Sequence, residues 1–332
     1  MTVSERLDYY TSGMYRKPGA CQTETVSLAW ARRVHAHEFE RESWWSTLCI
    51  NFDQLWMLRH LKKSIMPTQT PVVLIPSGSY VVDLFCAWEG LSEQYKTETR
   101  RLLWYPRDRV EPFTVPCLVK TRCTRTAPKG SILFKLNRIR HFAHFERLHR
   151  DGDPVHWSAK KGAVLWRGRA TGYGFGNDIP KRDASREELV RRWMDASTHL
   201  VDVKLVGKDA NENHMSIHEM LEYKYLLSVE GNDVASNLKW IMASDSVPFM
   251  PRPVIASWFM EDRLKPWVHF VPVRDDFGDL EKQVMWAENH QDHCRRIVDA
   301  NHAWVAQFMD QDREMMLQRD ILKWYLDTFT LV

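Results

Sequence analysis

Residues 162–176, GAVLWRGRATGYGFG, join a short apolar run to two arginines and then place glycine at 168, 172, 174 and 176. An apolar run of this length closed by glycine reads as a buried strand. Clustered glycines mark backbone that bends tightly or approaches something closely. Downstream, SREELVRRWMDAS (185–197) opens with a serine cap and continues as an amphipathic helix. LVDVKLV (200–206) is a strand, SIHEMLEYK (216–224) a helix, YLLSVEG (225–231) a strand and VASNLKWIMASD (234–245) a helix. SVPFMP (246–251), a short helix around IASWFME (255–261) and HFVPV (269–273) follow, then helices over 277–289, 291–309 and 312–330. This alternation predicts an α/β fold built on a doubly wound parallel sheet with helices on both faces.

The first half is less regular. SLAWARRVHAHEFERES (27–43) and NFDQLWMLRHLKKSI (51–65) have helical periodicity. PVVLIPSG (71–78), YVVDLFCAW (80–88), TVPCLVKTR (114–122) and SILFKL (131–136) read as strands. NRIRHFAHFERLHR (137–150) carries Arg138, Arg140, Arg147 and Arg150, which either bind phosphate or form the solvated face of a helix with Phe142 and Phe145 turned inward. Gly, Asp and Pro cluster in HRDGDPVHW (149–157) and place a domain boundary there.

The 332 residues suffice for two domains, and 44% apolar with 27% charged residues is ordinary for a globular protein. A net charge of +3, from 46 basic and 43 acidic side chains, argues against a general nucleic-acid binder. Fifteen tryptophans, mostly core, lend weight to a sugar or nucleotide ligand. Six cysteines without a CxxC pair read as free thiols of a reducing compartment. No signal core or membrane span is evident, so a cytoplasmic protein is expected, with any membrane attachment peripheral.

In open α/β sheets ligands bind beyond the carboxyl ends of the strands. Two such ends stand out. In LWRGRATG, Arg167 and Arg169 flank Gly168 and could converge on an anion. In SVEGNDVASNLKW, Gly231 turns the chain, and Asn232 or Asp233 would cap a helix whose amino end suits a pyrophosphate. An ordinary tight turn is the competing reading of either loop alone. The Walker pattern GxxxxGK[ST] is absent, and GYGFGNDIPKRD does not open a helix as a dinucleotide fingerprint should. His141/His144 and His290/His293/Cys294 have helical metal spacing but no evident third ligand. Asp151-Gly-Asp153, beside Pro154, reads as a boundary turn.

LWRGRATG, HLVDVKLV, EYKYLLSVEGNDVASNLKWIMASDSVPFM and above all LKPWVHFVPVRDDFGDLEKQVMWAENH resemble glycosyltransferase family 90, strongly over about 155–310. The family includes protein O-glucosyltransferases, capsule-associated xylosyltransferases and lipopolysaccharide glycosyltransferases. With no evident signal peptide or retention tail, the chain looks closer to the bacterial or viral branch.

The resemblance implies a GT-B architecture of two Rossmann-like domains facing a cleft. The acceptor-side domain would span 1–150, the donor domain 151–311, and a terminal helix (312–332) would pack back on the first. It further implies an inverting, metal-independent transfer of glucose, xylose or galactose from a UDP-sugar to a hydroxyl of lipopolysaccharide, capsule or glycoprotein, with no cofactor. Arg167, Gly168, Arg169, Thr171, Gly231, Ser236, Lys239 and His269 are the donor-binding residues it suggests. Ser246 also matches a family position. Asn237 stands where animal members carry arginine. Asp108 in YPRDR is the expected catalytic base, with Asp83 as alternative. A nucleotide-sugar-binding protein that has lost catalysis is the competing reading.

Overall fold

The computed structural model describes residues 1–11, 24–26, 49–50, 78–95, 102–105, 112–113, 115–125, 130–136, 138–172, 185–207 and 213–331. The chain divides into two compact units, Met1–Arg138 with Gln311–Val332, and Ile139–Asp310.

In the first unit, α1 (Val3–Tyr10) starts at a capping box in which Thr2 and Glu5 satisfy each other's backbone amides. β1 (Glu24–Val26) and β2 (Cys49–Ile50) precede α2 (Gly78–Glu89). The strand expected at 80–88 is therefore a helix. A short apolar run does not reveal its own period, but burial of Leu84, Ala87, Trp88 and Leu91 follows helical spacing. β3 (Leu102–Tyr105), β4 (Cys117–Val119), β5 (Thr121–Cys123) and β6 (Ser131–Leu133) follow. The sheet order is β2-β3-β4-β6, parallel except for β2. The helices expected at 27–43 and 51–65 and the strand at 71–78 lie outside the described residues, apart from Gly78 itself.

The second unit begins with α3 (Arg138–Asp151), whose first residue belongs to the first unit, and continues into β7 (Lys161–Gly168), α4 (Arg186–Trp193), β8 (Val201–Leu205), α5 (Ile217–Met220) and β9 (Tyr223–Leu227). Then come α6 (Leu238–Met242), β10 (Val247–Met250), β11 (Ile255–Ser257), β12 (Val271–Pro272), α7 (Leu280–Asn289) and α8 (Gln291–Ala306). The sheet order is β12-β10-β9-β7-β8, parallel throughout. Alternate residues Val164, Trp166, Val201, Val203, Tyr225, Leu227, Val247, Phe249 and Val271 form one buried row, packed against Leu189 of α4, Val284 of α7 and Ile297 of α8. The opposite row, including Leu165, Leu226 and Met250, is buried as well, as a parallel sheet requires.

Three expectations fail locally: the helix expected at 216–224 ends at Met220, and Tyr223 and Lys224 already belong to β9. The helix expected at 255–261 is β11 and a turn, because Met260 is left-handed (φ 59°) and Ser257 bonds back to Glu261. The helix expected from 234 begins only at Leu238. The chain ends in α9 (Gln311–Thr328) and β13 (Phe329–Leu331), which pairs in parallel with β1. Within the first unit, the Tyr325 hydroxyl of α9 accepts from Leu103 N–H (3.1 Å) and donates to the Pro116 carbonyl (2.9 Å).

Candidate functional site

The second sheet changes direction at its centre. From β7 the chain moves outward to β8, then returns to β9 on the other side of β7 and moves away through β10 and β12. In such a sheet the crevice beyond the carboxyl ends of the two strands flanking the reversal is the ligand site. The segments leaving these ends are 169–172 after β7 and 228–237 after β9, the two glycine loops singled out in the sequence.

They meet. Gly172 donates its amide to Asn232 Oδ1 at 3.0 Å. Its φ of 108° is left-handed, and a Cβ there would lie 2.8 Å from the Gly231 carbonyl carbon. Gly172 thus belongs to the junction itself. Residues 173–176 lie outside the described residues.

Arg186, the first residue of α4, ties the junction together. Its guanidinium donates to the Val229 carbonyl (3.1 and 3.3 Å), the Arg169 carbonyl (3.2 Å) and Thr171 Oγ1 (2.8 Å), and lies over the Trp166 ring. Burial lowers its pKa to about 10; Asp233 opposes the shift and the like charge of Arg140 adds to it. Nothing in SREELV beyond its helix start signals this role, since the partners lie on two loops remote in the chain.

The predicted donor residues separate into groups. Arg169 is exposed and, with Lys204, supplies the cations on the wall of a pocket of about 790 Å³, which Thr171, Met194, Asp195 and Asn213 also line. Arg167 does not join it. Its guanidinium, 6% exposed, pairs with Asp202 Oδ2 at 2.7 Å and donates to the Asp202 carbonyl, bracing β7 against β8. Gly168 ends β7, and its carbonyl accepts from Val206 N–H at 2.9 Å.

Gly231 is not followed by a helix end. Its amide donates to the Asp233 carbonyl (2.9 Å), and turns continue to Asn237. Asn237 caps no amide of α6; its side chain donates to the Leu227 carbonyl (3.0 Å) and accepts from Ser228 Oγ (3.2 Å). The expected pyrophosphate site at a helix start is thereby replaced by an irregular turn, with Ser236 half-buried in it. Lys239 is wholly buried, its Nζ 2.8 Å from Glu261 Oε1 and between the rings of Phe142 and Phe259. Moving that ammonium to a phosphate would strand a buried carboxylate.

His269 precedes β12. Trp166, Leu227, Phe249 and Val271 share one cross-sheet level, so His269 lies on the amino-terminal side of that level and the glycine loops on the other. Its Nδ1 accepts from Lys265 N–H (3.0 Å) and its ring packs edge-on to Trp304. Burial and the neighbouring Lys265 lower its pKa. Ser246 is also internal, donating to the Tyr223 carbonyl and accepting from Lys160.

Asp108 lies outside the described residues. Asp83, on α2, accepts the amide of Arg138 at 2.9 Å and so caps the amino end of α3. Asp153 is an internal anchor, accepting from Lys160 Nζ and from the amides of Val155 and Asp245, each at 2.9 Å. Asp151 ends α3 within the second unit and pairs with Arg150, so the division of the chain falls before α3 and not at the turn expected over 149–157. His290 stacks on Trp286, and His293 donates to the Trp267 carbonyl. Among the described residues no group of three His, Cys, Asp or Glu is placed to hold a metal, and no helix is long and apolar enough to cross a membrane.

Residues 135–330, more than half of the chain, match the sequence profile of glycosyl transferase family 90. The chain is 34% identical over 217 residues to O-glucosyltransferase LpsA of Dichelobacter nodosus, covering 64% of this chain and 62% of that protein. It is 28% identical over 159 residues to protein O-glucosyltransferase 2 of Danio rerio, 45% of this chain and 29% of that one. A third relative, uncharacterized protein 035R of invertebrate iridescent virus 3, is 25% identical over 173 residues, 47% of this chain and 16% of that protein. The aligned part is thus less than two thirds of the length of each of these relatives.

Proposed function

The chain belongs to glycosyl transferase family 90, and on that premise we propose that it moves a sugar from a UDP-sugar to a glycan hydroxyl, with inversion and without a metal. Glucose is the first donor sugar to test, because two relatives are named O-glucosyltransferases; xylose and galactose follow. The architecture proposed is GT-B, with 151–311 as donor domain, and the place of work cytoplasmic.

The observation that carries this reading is the junction of Gly172 and Gly231 at the point where the strand order reverses. There the donor pyrophosphate would meet the exposed Arg169 guanidinium, the Thr171 hydroxyl and the positive field of Arg186, which also holds the loops in register. Arg167, Lys239 and His269 act at a distance from the donor, as internal braces.

In the reaction the acceptor oxygen attacks the anomeric carbon as its bond to the β-phosphate oxygen breaks. The electron pair leaves on UDP, where the guanidinium charge stabilises it. The acceptor proton passes to a carboxylate, for which Asp108 is proposed. Asp83 is the weaker alternative, because its carboxylate already holds the α3 amide.

The test is transfer from UDP-glucose, UDP-xylose and UDP-galactose to a panel of glycans in the presence of EDTA. Inverted product from one donor is expected. UDP binding with neither transfer nor donor hydrolysis would favour a nucleotide-sugar-binding protein instead.

A further inference from the structure

Helix α3 has two unlike sides. Phe142 and Phe145 are 2% and 1% exposed, and His141 and Leu148 are buried beside them. Arg140, His144 and Arg147, at positions i, i+4 and i+7, share the opposite side and are exposed, with the small Ala143 between them. Arg150 stands next along this side but is taken up by Asp151. Several other exposed or half-exposed arginines of the second unit have carboxylate partners: Arg191 and Arg192 on Glu188, Arg274 on Asp276, Arg295 near Asp245. Among the described residues Arg140 and Arg147 form no ion pair.

The stripe starts at the candidate site. Arg140 is close enough to Arg186 to act on it electrostatically. On its inward side the Phe142 ring lies 5.6 Å from Lys239 Nζ, so the buried face of α3 packs on α6. From Arg140 the stripe leads away for about 10 Å to Arg147.

We propose that this face of α3 binds the acceptor, and that the acceptor is an acidic saccharide bearing phosphate or carboxylate groups. The proposal rests on the glycosyltransferase reading of the neighbouring loops. Arginine forks match such anions with paired hydrogen bonds, and a cationic track leading from the donor site is where an acceptor chain must lie. A membrane surface fits less well, because among the described residues of the second unit the large apolar side chains that are exposed (Met194, Trp267, Val268 and Met285) are not on α3. A single-stranded nucleic acid fits less well too, since the phenylalanines of α3 face inward and offer no stacking platform.

The test compares binding of phosphorylated maltohexaose and of maltohexaose to the full chain, in wild type, Arg147→Glu and Arg140→Gln/Arg147→Gln, with UDP binding measured alongside. The phosphorylated probe should bind at least about tenfold more tightly in wild type. Both variants should lose this preference, and Arg147→Glu should bind UDP like wild type. Equal binding of the two sugars, or an undiminished preference in the variants, overturns the proposal. Binding to phosphatidylglycerol vesicles in place of the phosphorylated sugar overturns it as well. The UDP arm reports separately on the donor reading: loss of the phosphate preference with UDP binding intact refutes only the acceptor surface.

Discussion

Gly172 and Gly231 touch through their backbones: a Cβ on Gly172 would sit 2.8 Å from the carbonyl carbon of Gly231, at a φ of 108° that side chains rarely adopt. Replacing Gly172 by alanine therefore forces two loops apart. It should cost about 1–3 kcal/mol of stability and weaken UDP binding. Alanine at Gly231 has the Arg186 guanidinium as its nearest neighbour, at 3.0 Å, a side-chain end that can shift more readily than backbone. Thermal melts of both variants should rank Gly172→Ala as clearly the more damaging; the reverse order would mean that the loops do not meet this way.

The buried pair of Lys239 and Glu261 gives a different signature. Lys239→Met leaves Glu261 without its cation in the core and should destabilise the protein by about 3–5 kcal/mol. UDP affinity, measured at a temperature where the variant is folded, should stay near that of wild type. A variant of full stability with weakened UDP binding would return Lys239 to the phosphate site.

The proton acceptor can be assigned kinetically. Asp108→Asn should lower transfer by about 100-fold or more while UDP binding persists. Asp83→Asn, which weakens the cap of α3, should lower the melting temperature more than the turnover. Full turnover in the Asp108 variant would move the base elsewhere.

Cys294 offers a pH test of the second core. Burial, with the nearby charge of Glu288 adding, raises its thiol from 9.0 to about 12. The unfolded thiol ionises near pH 9 while the folded one stays neutral, so the native state holds the extra proton between those values. The stabilisation is complete below pH 9 and is lost as pH rises towards 12, with a slope of at most about 1.4 kcal/mol per pH unit. Denaturant titrations from pH 8 to 11 should show wild type losing stability faster than Cys294→Ala. Parallel curves would mean that the thiol is not held neutral.

Much of the second sheet was readable because its strands are buried on both sides and stand between capped helices, as in GAVLWRG followed later by SREELV. The sequence also marked the two glycine loops, and Gly172 and Gly231 do lie together. What it could not mark were partners remote in the chain. Arg186 looks like any first-turn arginine until Val229, Arg169 and Thr171 close around it. Lys239 looks like a phosphate ligand until Glu261 turns up in the core beside it. YVVDLFCAW is apolar nearly throughout, so strand and helix patterns fit it equally, and tertiary packing decided for α2. Local bonds overrode helical propensity after Gly231 and at Met260, where side chains such as Asn237 and Ser257 bind backbone or carboxylate instead.

The most direct measurement is a calorimetric titration of UDP into the full chain, with EDTA present, for wild type and Arg169→Ala. Wild type should bind UDP without added metal, and the variant should bind it at least about tenfold more weakly, the loss of one charge-assisted contact. No UDP binding by wild type, or equal affinity in the two proteins, would contradict a donor site at the junction of the β7 and β9 loops.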